Sequence, residues 1–178
     1  LMPVQIGAKL DRDFDDPLGM LCDCHRRIER FLRVLCEVAR RAQGRALSHE
    51  EQEAVRGALH YFREGGERHN RDEEDSLFPR LRQAGATVEL RAIEALEHEH
   101  ADAGALHATV DRLYTQWMAN GTLADDEERA LLDATGRLET LYATHIAMEE
   151  TVVFPHAAKV LDAGAITAMG AEFRARRS

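Results

Sequence analysis

Six residues hold the chemistry this sequence could perform. His69 and Glu73 stand four apart, as do His145 and Glu149, while His25 and His100 stand alone in other stretches. On a helix, positions i and i+4 share one face about 6 Å apart, so each pair aims an imidazole and a carboxylate into the same space. Imidazole nitrogen beside carboxylate oxygen is a donor set for iron, manganese or zinc. A carboxylate on an apolar face also needs positive charge, and neither Lys nor Arg shares these faces to supply it.

The two pairs belong to a longer repeat. The run from His69 to Pro79 reads H-x-x-x-E-E-D-S-L-F-P and that from His145 to Pro155 reads H-x-x-x-E-E-T-V-V-F-P, at an offset of 76, and His25 and His100 are offset by 75. The chain therefore reads as two helical hairpins related by a pseudo-twofold. Two histidines and one carboxylate from each half suit two equivalent metals, each with two imidazoles and a share of both glutamates. Positions then stay open for a bridging oxo or hydroxo group and a small exogenous ligand. A nitrogen-rich dinuclear site of this kind favours two redox-active iron ions, with manganese and zinc as alternatives on the same donors.

Four long helices must position these residues. Ala, Leu, Glu and Arg dominate, only four prolines occur and aromatics make up 6% of residues, a helical rather than a sheet composition. The first helix is expected from an N-cap at Asp15 or Asp16, with Pro17 in its first turn, to Gln43 before Gly44. Ser48 and Glu51 make a capping box for the second, whose seam reads Val55, Leu59, Phe62, Gly66, His69, Glu73. It is expected to reach about Asp75, with a short continuation to Gln83 and a bend or close packing at Gly65 and Gly66. The third runs from about Val88 to Ala119. The fourth begins near Asp125, its seam passing Leu131, Ala134, Leu138, Leu141, His145, Met148 or Glu149, and Val152. A short terminal helix is expected over 162–178, with Arg174, Arg176 and Arg177 as a solvated basic end.

With short connections near 46, 85 and 122, neighbouring helices run antiparallel, and the fold is an all-α, up-down-up-down four-helix bundle. A single domain spans 1–178, with its core at about 16–161. Each histidine of the set lies nearly as far from a turn as its partner across that turn, so at 1.5 Å per residue all four fall in one layer. One buried imidazole is an ordinary core residue. Four at one level would each leave on the order of 1–3 kcal/mol of hydrogen bonding unmet unless a shared ion satisfied them.

Other candidates rank lower. His98, His49, His60 and His156 lie off the layer, and His107 is inward but two turns from His100. Cys22 and Tyr142 precede ligand histidines by three and could touch them, with core packing the simpler role. Glu74 and Glu150 lie about 100° around their helices and are expected at the surface, and Glu29 suits a surface ion pair. The Glu-x-x-His arrangement of ferritin-like centres occurs only at Glu97 and His100.

The paired H-x-x-x-E-E…F-P motifs, with isolated inward histidines on the alternate helices, resemble those of the hemerythrin and HHE cation-binding family over about residues 16–161. The resemblance implies a non-haem di-iron centre, bridged by two carboxylates and an oxygen species, that binds dioxygen or related small molecules. It implies His25, His69, Glu73, His100, His145 and Glu149 as ligands. Oxygen-carrying members have a further histidine one turn along the third helix, where this chain has Gly104, so simple reversible carriage is not implied and both irons would be open.

A net charge of −9 opposes phosphate backbones and anionic lipid, so neither nucleic acid nor membrane is expected as partner. No apolar run approaches a spanning length, and Leu1 to Lys9 does not read as a leader. The three cysteines form no disulfide framework, which suits a soluble, cytoplasmic protein. The function expected is binding, sensing or storage through an open di-iron centre that takes dioxygen, nitric oxide or iron. The alternatives are an enzyme handling peroxide or ferrous iron, iron donation in cluster repair, and a metal-free helical interaction module.

Overall fold

The computed structural model describes residues 12–85 and 87–178, which leaves the Leu1–Lys9 reading outside the described residues. Helix α1 is Pro17–Arg41, α2 spans 49–84, α3 is Thr87–Asn120, α4 spans 125–160 and α5 is Ala163–Ala175. Among the described residues there is no strand. α1 to α4 form the bundle, each packing on two neighbours, and α5 lies across α1 and α2.

Helix ends follow local chemistry. Asp16, rather than Asp15, accepts from the Gly19 N–H at 3.0 Å and starts α1. Ser48 and Glu51 exchange the expected capping hydrogen bonds at 3.2 and 2.8 Å. Asp162 caps α5 through the Ala165 N–H at 2.8 Å. Gly44, Gly85 and Gly121 follow α1, α2 and α3 with positive φ, the left-handed turn that lets each chain reversal occur without a Cβ clash.

The second helix, expected to reach about Asp75 with a short continuation, and the fourth both run on through π turns. α2 contains such turns at Phe62–Gly66 and Glu73–Leu77, and α4 contains one at Glu149–Val153. Pro79 and Pro155 stand just beyond the second and third. Proline lacks the N–H that an α turn would use and crowds the carbonyl four residues back, and a widened turn relieves both. One extra residue enters the helix there, so the seam slips: Val153, not Val152, is buried on α4, and Val152 is 37% exposed. Met148 also points outward and Leu141 is only half-buried, Tyr142 taking the inward place.

Two apolar clusters sandwich the histidine layer. The larger, toward the 42–47 and 120–124 connections, includes Leu35, Val55, Val110, Tyr114, Trp117 and Leu138. Its polar tips are satisfied, with Tyr114 Oη donating to the Leu35 carbonyl at 2.5 Å and Trp117 Nε1 to that of Arg45 at 3.0 Å. The smaller cluster joins Leu21, Phe78, Leu81, Ile93 and Phe154 to Met169 and Phe173 of α5. Gly170 brings α5 against the chain at Phe14, where a Cβ would fall 1.9 Å from the Phe14 carbonyl oxygen.

The basic end is not a solvated tail. Arg176 and Arg177 reach the fully buried Asp72 of α2 at 2.8 and 2.5 Å, and Arg176 also donates to Ser76 Oγ at 2.6 Å. A buried carboxylate one residue from Glu73 explains the reversal, since it requires cations that the bundle itself does not bring there.

Candidate metal centre

All six expected residues meet midway along the bundle, each at most 6% exposed. α1 supplies His25, α2 His69 and Glu73, α3 His100, and α4 His145 and Glu149. Their donor atoms fall into two groups able to hold an ion, His25–His69 and His100–His145, and both groups include Glu73 and Glu149. Glu73 Oε1 lies 3.4 Å from His69 Nε2 and 3.9 Å from His25 Nε2, while its Oε2 lies 3.3 Å from His100 Nε2. Glu149 Oε2 lies 3.0 Å from His25 Nε2, and its Oε1 lies 3.3 Å from His145 Nε2. The Nε2 atoms of His100 and His145 are 3.1 Å apart.

The donor set fits a metal. Both oxygens of Glu73 and of Glu149, together with His25 Nε2, are buried with no hydrogen-bond partner, a cost that bound cations would remove. The electrostatics agree. Burial and the charge of Glu149 hold Glu73 well above the usual carboxylate range. Burial also pushes Glu149 upward, but the imidazoles of His145 and His25 outweigh it and leave Glu149 depressed. Two like carboxylates in one dry cavity cannot both ionise cheaply on their own.

Three glutamates that helical spacing had assigned to the surface, or passed over, instead orient the imidazoles. His25 Nδ1 faces Glu150 Oε1 at 2.9 Å, His100 Nδ1 faces Glu74 Oε1 at 2.7 Å and His145 Nδ1 faces Glu99 Oε2 at 2.8 Å. A carboxylate there fixes the tautomer whose Nε2 lone pair points to an ion. The repeated Glu-Glu doublet was the signal for two of them. The Phe-Pro motif also finds a role: Phe154 stacks on His25 with centroids 5.5 Å apart, and Phe78 on His100 at 6.2 Å, sealing the layer on the α5 side.

The remaining candidates stand apart. Tyr142 meets the His145 ring edge-on, with centroids 6.3 Å apart, and its hydroxyl pairs with His107 Nε2 at 3.0 Å. Cys22 packs against the smaller apolar cluster, and Glu29 pairs with Arg26 at 2.9 Å on the surface. His49, His60 and His98 are exposed. Glu97 is held by Arg82 at 2.6 Å and does not turn to the centre. The cysteines are free thiols.

A helical bundle with a buried layer of histidines and glutamates defines a class, the metal-binding bundles. The chain belongs to the hemerythrin HHE cation-binding domain family, whose model matches residues 16–170. It is also similar to an uncharacterized protein of Haemophilus influenzae, 27% identical over 169 residues that cover 92% of this chain and 91% of that one. Among the described residues no helix is long and apolar enough to cross a membrane.

Proposed function

We propose that the chain holds two iron ions, with His25 and His69 on one, His100 and His145 on the other, and Glu73 and Glu149 bridging both. One observation carries this reading: each glutamate turns one oxygen toward each histidine pair. Iron bound there would supply reversible redox chemistry and open positions for dioxygen or nitric oxide. The protein's own part is to hold the donors and to exclude bulk water with Phe78 and Phe154.

Gly104, one turn beyond His100, is exposed at the surface. It lines a surface pocket of about 460 Å³ with Phe62, Gly66, His107 and Tyr142, none of them in the donor set, whereas His100 itself lines a pocket of about 340 Å³ with Asn70, Glu74 and Ala101. A pocket that touches a donor residue favours binding and sensing of a small molecule over a closed structural site. It also suits the second reading, an enzyme that handles peroxide or ferrous iron.

Metal analysis and absorption of aerobically purified protein test the proposal. Two irons per chain with a ferric charge-transfer band are expected, and a colourless protein of undiminished stability would sink it. His69→Ala or Glu149→Ala should abolish two-iron loading; retention of both irons in either variant would refute the ligand assignment. Stopped-flow mixing of the diferrous protein with oxygen, nitric oxide and peroxide then separates binding from turnover.

A further inference from the structure

The centre is nearly twofold, but the charged groups behind its imidazoles depart from that symmetry on one half. Under the offsets of 75 for α1 and α3 and 76 for α2 and α4, the pair His25–Glu150 corresponds to His100–Glu74. The pair His145–Glu99 should likewise have a counterpart at His69 and residue 24. Residue 24 is a cysteine, and His69 Nδ1 is buried with no hydrogen-bond partner. A thiol is a weak acceptor and cannot supply the negative charge that Glu99 brings to His145.

Two further differences act in the same direction. Arg26 of α1 bonds the same Glu150 oxygen that faces His25, so that carboxylate is shared with a cation, whereas the position matching Arg26 on α3 is Ala101. Asp72, next to Glu73, carries two guanidiniums on its one carboxylate, and its counterpart on α4 is the exposed Met148. Around His100 and His145 the nearby groups, Glu74 and Glu99, are carboxylates. Around His25 and His69 the balance is shifted toward positive charge, which opposes a bound cation.

From these differences we infer that the two halves hold their ions unequally: the His100–His145 half fills first and tightly, and the His25–His69 half is the exchangeable position. The inference rests on the two-metal reading above and deepens it. A carboxylate lost from behind a ligating imidazole typically lowers metal affinity 10–100-fold, which is the gap expected between the halves. Two cations sharing two carboxylates also repel, so a stepwise titration alone is not the signature. Its assignment to the halves is.

Anaerobic titration of the full chain with cobalt(II), read by its visible absorption and by chelator competition, makes that assignment. His69→Ala should keep the tight step and lose the weak one, and His145→Ala should do the reverse. Glu99→Gln should weaken the tight step 10–100-fold, while Cys24→Glu should tighten the weak one. Loss of the tight step in His69→Ala, or two steps unmoved by both Glu99→Gln and Cys24→Glu, would overturn the inference. If Cys24→Glu fails to fold, Glu99→Gln and the two histidine variants decide it. Saturation of the unmodified protein below two ions would instead remove the two-metal reading itself.

Discussion

At the scale of single residues, helical spacing found the six inward donors but misjudged what stands behind them. His25, His69, His100 and His145 were legible because apolar neighbours at three and four residues marked their faces. Glu74, Glu99 and Glu150 were not. A helical wheel places them beside the seam, at the boundary between two helices, and a side chain there reaches the far nitrogen of a neighbouring helix's imidazole. His107 shows the opposite case, an inward histidine that serves packing. Its ring lies against Phe62 with centroids 4.2 Å apart, and burial lowers its pKa to about 4. In the unfolded chain it would titrate near 6.5, so between those values the unfolded state binds more protons and stability falls as pH drops. Urea unfolding of the unmodified protein should lose up to about 3 kcal/mol more than His107→Gln between pH 7 and pH 4. Equal pH dependence in the two proteins would show that His107 does not stay neutral in the fold.

At the scale of elements, the four long helices and their caps were legible and their interiors were not. Ser48 with Glu51, Pro17 and the three turn glycines mark ends by local chemistry that survives in any context. The π turns do not announce themselves so plainly, because the seam can be continued in α register from Glu149 to Val152. There only the Phe-Pro pair hints that the ladder is interrupted, while Gly65 and Gly66 mark the turn at Phe62–Gly66. If one residue is extra in Glu149–Val153, removing it should restore an α turn and leave both flanks in place. Deletion of the exposed Thr151 should therefore cost far less stability than deletion of the equally exposed Thr140, which would rotate the seam by about 100°. Thermal melts of the two deletion variants compare them directly; similar losses would mean that the turn is not an insertion.

At the scale of the whole molecule, the pseudo-twofold repeat predicts a symmetric bundle, and α5 breaks that symmetry. It covers α1 and α2 and fills the smaller apolar cluster with Met169 and Phe173. Its end supplies the guanidiniums for Asp72. Composition could suggest only a charged end there, since the burial of Asp72 is decided by packing more than a hundred residues away in the chain. Arg176→Ala together with Arg177→Ala would leave that carboxylate buried and unpaired, a loss of about 3–5 kcal/mol by denaturant unfolding. A loss under 1 kcal/mol would mean that Asp72 finds other partners or water.

The same clamp orders events in time. The arginines that neutralise Asp72 are made 104 and 105 residues after it, when α1 to α4 have already been synthesised. Until they arrive, the helix turn bearing His69 and Glu73 contains a carboxylate that favours water over the core. A nascent chain therefore has a reason to keep this half open until the far end of α5 is available to it.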